Sequence, residues 1–310
     1  MKHIPVYLIC EDNYSPYMAT MIASVCSHTQ SWIDFHVFGK GILPGNREKI
    51  ERMRKDFPRF SIDYHTWDLS RLYKIPYLSL PRMTPSTYVR MVFPELYPET
   101  EKALIMDVDI IALGDIEELW EQPLDGCPFA AALDEESEPR VAYQAFKKNL
   151  EVDTDCNYAN CGVLLLDCRK WRAGGYSEKC LEVERKYREK LECADQDVIN
   201  KVFQGHFKVL DRRYNSLLGD GTDIVIRHFC WLRKPWLSRY DAVGERIRHF
   251  EDWWRFTGMT PFFPELKQRF DALAARGDNT TPVRTRETYE KMEKITRYRS
   301  LMKINKSNHD

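Results

Sequence analysis

Asp107 and Asp109 stand one residue apart in ALIMDVDII, residues 103–111, where an apolar run gives way to two acids. Carboxylates at i and i+2 of an extended chain point the same way, so both can converge on one cation. Far downstream, the β-branched run Ile224 to Ile226 delivers His228, and Lys234 and Trp236 follow. Imidazole with carboxylates suits Mn2+ or another first-row divalent ion, whereas pure oxygen sets suit Mg2+ or Ca2+. Three protein ligands leave positions open, and an open cation attracts an anionic substrate. A lysine on the same segment supplies a point charge for phosphate. A diphosphate gripped in this way becomes a good leaving group, because its charge is neutralised as the bond breaks. Sugar transfer from a nucleoside diphosphate requires that chemistry. The plain alternatives are two solvated acids in a surface turn and a structural histidine.

Such acids need an element to carry them. Ala103 to Met106 has the pattern of a strand buried on both faces. An unpaired charge inside such a strand is costly, so the acids belong where it ends. Pro5 to Cys10 (PVYLIC) has the same pattern, and Glu11, Asp12 and Asn13 follow it. Tyr17 to Cys26 has helical spacing, Asp34 to Gly39 is a second strand, Pro44 to Phe57 a charged helix, and Phe60 to Trp67 a third strand. This rhythm predicts a parallel sheet wrapped by helices, with ligands beyond the carboxyl ends of its strands. Thr84 to Leu96 reads as a helix opened by a Thr or Ser cap, with Arg90 in its middle. Pro128 to Leu133 is another strand and ends on Asp134. Tyr158 to Asp167 (YANCGVLLLD) sets Asn160 and Gly162 before an apolar run. Glu178 to Lys190 is a charged helix. In ADQDVIN, residues 194–200, Asp195, Gln196 and Asp197 open a helix, and plain capping is the alternative to chemistry there.

The 310 residues suffice for one sizeable α/β domain with appendages, or for two small ones. Lys and Arg number 46 against 47 Asp and Glu, so no basic excess implies a nucleic-acid partner. No apolar run approaches the roughly 18–20 residues that span a bilayer. The N-terminal MKHIPVYLIC is followed at once by acids and reads as a first strand rather than a signal peptide. Nine cysteines without a C-x-x-C pair disfavour a zinc site or disulfide framework and point to a reducing cytosol. From Phe250 the pattern changes. Trp253, Trp254, Phe256, Phe262 and Phe263 crowd together before a helix from Pro264 to Arg276. Residues 277–281 read as a linker. The tail, residues 282–310, is basic, and Met292, Ile295, Tyr298 and Leu301 form one apolar stripe. It is a candidate for contact with an anionic membrane surface, against the alternative of a packed or disordered segment. The expected division is a catalytic domain over 1–249 and an extension over 250–310.

Taken together, EDNY (11–14), STYVR (86–90), Asp107 to Asp109, Asp134, YANCGVLLLD, ADQDVIN and HFCWLRKPW (228–236) occur in one order. In these motifs, from Pro5 to about Trp236, the chain resembles family 8 glycosyltransferases. It is similar to the bacterial lipopolysaccharide and lipooligosaccharide α-galactosyl- and glucosyltransferases. The resemblance implies a GT-A fold: an α/β architecture with a mostly parallel central sheet flanked by helices, here with a helical C-terminal extension. It also implies retaining transfer of galactose or glucose from UDP-galactose or UDP-glucose to a glycan or glycolipid acceptor at the cell surface. The setting it implies is cytoplasmic, with the tail a candidate contact to the inner face of the plasma membrane.

By position, the resemblance implies that Asp107, Asp109 and His228 bind Mn2+, with Mg2+ as the second candidate. Lys234 would contact the diphosphate. Ile9, Glu11 and Asn13 would lie near the uridine, and Val108 joins the donor-contacting positions. Arg90, Asn160, Asp195 and Gln196 would hold the donor sugar, with Asp134 facing the sugar or the acceptor. Double displacement with retention needs a carboxylate nucleophile under the ring. The family position there is Gln196, a neutral amide. A front-face path is therefore expected, in which a leaving phosphate oxygen takes the acceptor proton and the Gln196 carbonyl stabilises positive charge.

Glu11 stands where the family more often has Asp or Asn. Trp231 replaces a Gly, and Arg82 stands where the named relatives present a His to the acceptor. The acceptor of those relatives therefore does not carry over. Two rival functions are a metal-dependent phosphohydrolase with Asp107 as nucleophile and a non-catalytic nucleotide-sugar-binding protein. The first expects a glycine turn after D-x-D near the chain start, whereas Ile110 and Ile111 follow here.

Overall fold

The computed structural model describes residues 2–66, 85–134, 147, 148, 150–153, 155–230, 233–241 and 244–276. Trp67, Arg82, Thr84, Trp231, the linker over 277–281 and the tail over 282–310 lie outside the described residues.

Strands β1 (His3–Ile9), β2 (Trp32–Gly39), β3 (Phe60–Thr66), β4 (Lys102–Met106), β6 (Phe129–Ala131), β7 (Val163–Asp167) and β8 (Lys208–Val209) form one sheet in the order β3-β2-β1-β4-β7-β6-β8. The pairs β1–β2, β2–β3, β1–β4 and β6–β8 are parallel. Around β7 the sheet is mixed, since β7 runs antiparallel to both β4 and β6. A second, two-stranded ribbon pairs β5 (Ile110–Ala112) with β9 (Ile226–His228).

The expected apolar runs become central strands because both faces of the sheet are covered. Leu104 and Met106 of β4 join Val6 and Leu8 of β1 in one core, against the helix α1 (Ser15–His28). Ala103 and Ile105 join Tyr7, Leu164 and Leu166 in a second core. That second core is roofed by α3 (Val89–Leu96), α5 (Cys168–Ala173), α6 (Tyr176–Tyr187) and α7 (Asp195–Phe203), the helices α2 (Pro44–Arg52) and α4 (Glu117–Trp120) lying elsewhere in the chain. Alternate residues of one strand thus feed opposite cores, as the two-residue period of a strand requires.

The late aromatic cluster is part of the first core. Phe250, Trp253 and Phe256 of α8 (Phe250–Thr257), with Leu266 and Phe270 of α9 (Phe263–Ala275), pack with α1 residues. The Thr20 and Thr257 hydroxyls meet at 3.0 Å inside that contact.

Two helix starts differ from expectation. Instead of a Thr or Ser cap, residues 85–88 form a 3-10 turn, and α3 begins at Val89 without a side-chain cap. Ser86 instead donates to Glu11 at 2.5 Å. At the second, first-turn capping is only part of the role of Asp195, whose carboxylate takes the amides of Asp195 and Gln196 and also pairs with Arg90. The residue ahead of α7 is Ala194, at φ 47° with no capping side chain, and Asp195 and Asp197 are buried.

Candidate active site

Strand direction decides which residues meet. β1 and β4 are neighbouring parallel strands, so Glu11 and Asp107 leave the sheet at the same edge. β7 is antiparallel to β4, with Val163 opposite Met106. The residues before β7, Asn160 to Gly162, therefore lie at that edge too. β6 reverses direction again and ends there, which brings up Asp134.

Val108 and Asp109 form a bend between β4 and β5. The two acids thus converge because the chain turns between two strands. The extended i, i+2 geometry expected from the spacing is not how they meet. The ribbon β5–β9 does the rest by setting Ile110 opposite His228. The Phe229 amide donates to the Asp109 carbonyl at 2.9 Å, and the Asp107 amide to the Gly162 carbonyl at 2.8 Å.

His228 Nε2 lies 3.2 Å from Asp109 Oδ1 and 3.7 Å from Asp107 Oδ2. One ligand atom from each of the three residues lies within 4.8 Å of the others. An ion bonded at about 2.1 Å at right angles needs ligand atoms about 3 Å apart, so this trio fits a divalent cation. His228 is only 4% exposed, and its other nitrogen, Nδ1, faces Asn215 Oδ1 at 3.0 Å. Gly162 makes room for the ring. A Cβ at that position would come within 2.2 Å of His228 Cε1.

Lys234 Nζ donates to the second oxygen of Asp109 and to the Phe229 carbonyl. Burial opposes ionisation of Asp109, but Lys234 and His228 outweigh it and hold the carboxyl well below the usual range. Burial likewise disfavours a charged Lys234, yet Asp109 raises its pKa overall. The ammonium also lies over the Trp236 ring, 5.4 Å from its centre, and Trp236 stacks on Tyr17.

Arg90 is not a solvated helical arginine. It is 5% exposed, and Nη2 donates to Asp107 Oδ1 at 2.7 Å. Its Nη1 donates to the Cys161 carbonyl, and Nε makes a close ionic contact with Asp195 Oδ2 at 2.8 Å. Burial makes a charged guanidinium costly, but Asp195 and Asp107 more than restore it.

Gln196 is held at both ends. Its Oε1 accepts from the Cys161 amide at 3.1 Å, and its Nε2 donates to Asp134 Oδ2 at 2.9 Å. Asn160 Nδ2 donates to the same Asp134 oxygen at 3.2 Å. Asp195 is 4% exposed, and burial pushes its carboxyl up to about 6 although Arg90 pulls it back. Asp197 is fully buried. Its oxygens accept from Tyr158 Oη and from the amides of Glu192 and Cys193.

The remaining sites from the resemblance fall nearby or outside. Glu11 Oε2 accepts from the Lys40 amide at 3.3 Å, beyond its bond from Ser86. Ile9 ends β1 half-buried, whereas Asn13 is exposed. The Val108 side chain is only 7% exposed and packs into the first core. The sequence reading missed Asn215 and the Ser86–Glu11 bond. An asparagine in the loop RRYNS carries no signal of its own, whereas Ser86 stood in the quoted STYVR motif.

A mixed sheet of this order, with paired acids at its central edge and an imidazole closing on them, defines a GT-A-type α/β protein. Residues 5–239 match the family described as Glycosyl transferase family 8, and the chain belongs to it. It is 27% identical over 253 residues to a putative glycosyltransferase of Haemophilus influenzae, spanning 76% of this chain and 73% of that protein. It is 24% identical over 254 residues to an Escherichia coli lipopolysaccharide 1,2-glucosyltransferase, spanning 73% and 71%. In structure it is similar to galactosyltransferase LgtC bound to donor and acceptor sugar analogs, with TM-score 0.71 and 22% identity, covering 86% of this chain and all of that one. The fold is thus the GT-A fold seen in LgtC, and the protein is a glycosyltransferase of the EC 2.4 class. Among the described residues, no helix is long and apolar enough to cross a membrane.

Proposed function

We propose that this protein is a retaining hexosyltransferase that moves galactose or glucose from a UDP-sugar to a hydroxyl of a cell-surface glycan. One observation carries the reading: Asp107, Asp109 and His228 converge within bonding reach of a single cation, and Lys234 stands beside them. Mn2+, or Mg2+ in its place, would be held by those three residues and would neutralise the charge of the departing diphosphate. The names of the E. coli relative and of LgtC support the choice of sugars and a surface-glycan acceptor.

In this reading Lys234 exchanges Asp109 for a diphosphate oxygen when donor arrives. Ile9, Glu11 and Asn13 lie by the uridine, while Asn160, Asp134 and Gln196 form one wall for the transferred sugar. The front-face path gains support from where the carboxylates are committed. Asp195 is paired with Arg90, and Asp197 is enclosed by Tyr158 and two backbone amides. Neither is free to attack an anomeric carbon. Gln196, whose bond from Cys161 leaves one carbonyl lone pair, faces charge development as a dipole. The leaving phosphate oxygen accepts the acceptor proton on the same face.

The test is a panel of UDP-sugars with Mn2+, reading UDP release and the coupled product. Release from UDP-galactose or UDP-glucose that stops on chelation is the expected result. Hydrolysis of simple phosphate esters would instead mark a phosphohydrolase, and UDP binding without any turnover a binding protein.

A further inference from the structure

Which nitrogen of His228 carries the proton follows from a chain of hydrogen bonds that starts at a backbone amide. The Gly162 N–H can only donate, and it points at Asn160 Oδ1 at 3.0 Å. That atom is therefore the oxygen of the Asn160 amide. The Asn215 atom facing the same oxygen at 2.8 Å must be a donor, its Nδ2. Asn215 Oδ1 is then the atom turned to His228 Nδ1, at 3.0 Å. An amide oxygen only accepts, so Nδ1 bears the hydrogen. In a neutral imidazole this leaves the lone pair on Nε2, the atom that faces Asp107 and Asp109.

We propose that Asn215 is a positioning residue that fixes His228 as its Nδ1–H tautomer and so presents Nε2 to a divalent cation. The proposal rests on the metal-site reading above. With the other tautomer, Nε2–H would donate to Asp109 and offer the cation no lone pair. Asn215 is built for constancy. It is 1% exposed, and the backbone next to it is laced to β9. The Ser216 amide donates to the Ile226 carbonyl at 2.9 Å, and the His228 amide to the Ser216 carbonyl at 3.0 Å. Arg227 Nη1 ties the carbonyls of Ser216 and Leu217 together at 3.1 and 2.6 Å. Partners behind a metal-bound imidazole set its tautomer and basicity, and losing one costs about 10–100-fold in metal affinity.

Nitrogen NMR of histidine-labelled, metal-free protein reads the tautomer directly, with the His228 signals assigned by their loss in His228→Gln. At a pH where the imidazole is neutral, the expected result is a protonated Nδ1 and a lone pair on Nε2. Mn2+ titration followed by electron paramagnetic resonance should show about 10–100-fold weaker binding in Asn215→Ala. Asn215→Asp, which keeps an oxygen against Nδ1, should recover much of it. A neutral imidazole with its hydrogen on Nε2, or unchanged Mn2+ affinity in Asn215→Ala, overturns the proposal. Should Asn215→Ala fail to fold, the native tautomer and Asn215→Asp decide. Asp109→Asn separates the two levels: if it binds Mn2+ as the native chain does, the metal-site reading fails, while the tautomer is still read without any metal.

Discussion

Arg90 and Asp195 form an ion pair inside the protein, with Nε 2.8 Å from Oδ2 and each side chain only 6% exposed. The same guanidinium holds Asp107, so one cation ties the edge where β4 ends to the start of α7. Arg90→Ala would leave two acids without their partner. Breaking a buried pair from one side costs about 3–5 kcal/mol, and denaturant unfolding should show a loss of that order. Arg90→Lys should recover only part, since one ammonium cannot reproduce a fork that donates to Asp107 and the Cys161 carbonyl while also facing Asp195.

Asp197 makes stability depend on pH. Burial pushes its carboxyl up to about 7, while the Tyr158 hydroxyl and two amides draw it down. The folded chain then keeps a proton that the unfolded chain releases from about pH 4 upward. Its contribution to stability therefore falls as pH rises from about 4 to 7, by at most about 1.4 kcal/mol per pH unit. Asp197→Asn mimics the protonated form. Relative to native protein it should gain stability across that window in thermal melts, and a constant difference would refute the assignment.

Gly162→Ala tests the space reserved for the imidazole. The added methyl meets His228 Cε1 and Nδ1, so the ring must leave its place between Asn215 and the acids. Mn2+ affinity should fall by about tenfold or more, the scale of a lost supporting contact. Native affinity measured by calorimetry would show that the ring has another way to reach the ion.

Turnover should separate ligands from the dipole. Asp107→Ala and Asp109→Ala should abolish UDP-sugar turnover, whereas Gln196→Ala should lower it without abolishing it. A glycosyl ester trapped on Asp195 or Asp197, sought by mass spectrometry of the intact chain, would replace the front-face path with double displacement.

Much of this architecture could be read from local pattern. The runs Pro5 to Cys10 and Ala103 to Met106 announced β1 and β4, since strands covered on both faces lack polar alternation. Asp107, Asp109 and His228 could be picked out because their chemistry is uncommon beside apolar strands. The bend that brings the acids together could not be read, because spacing alone does not distinguish a turn from an extended run. The reversal of β7 was equally hidden, since an apolar strand reads the same whether its neighbours run parallel or antiparallel. Asn215 was invisible for a related reason. Its importance lies in which atom of which distant ring it faces, and that is a property of the assembled ladder.

The ribbon of residues 110–112 and 226–228 has a consequence for how the protein matures. During synthesis both acids emerge long before the histidine, and they gain it only when this ribbon zips. The three-residue cluster therefore does not exist in the early chain. It forms only in a molecule whose two halves have already met, so its geometry marks the completion of folding rather than its beginning.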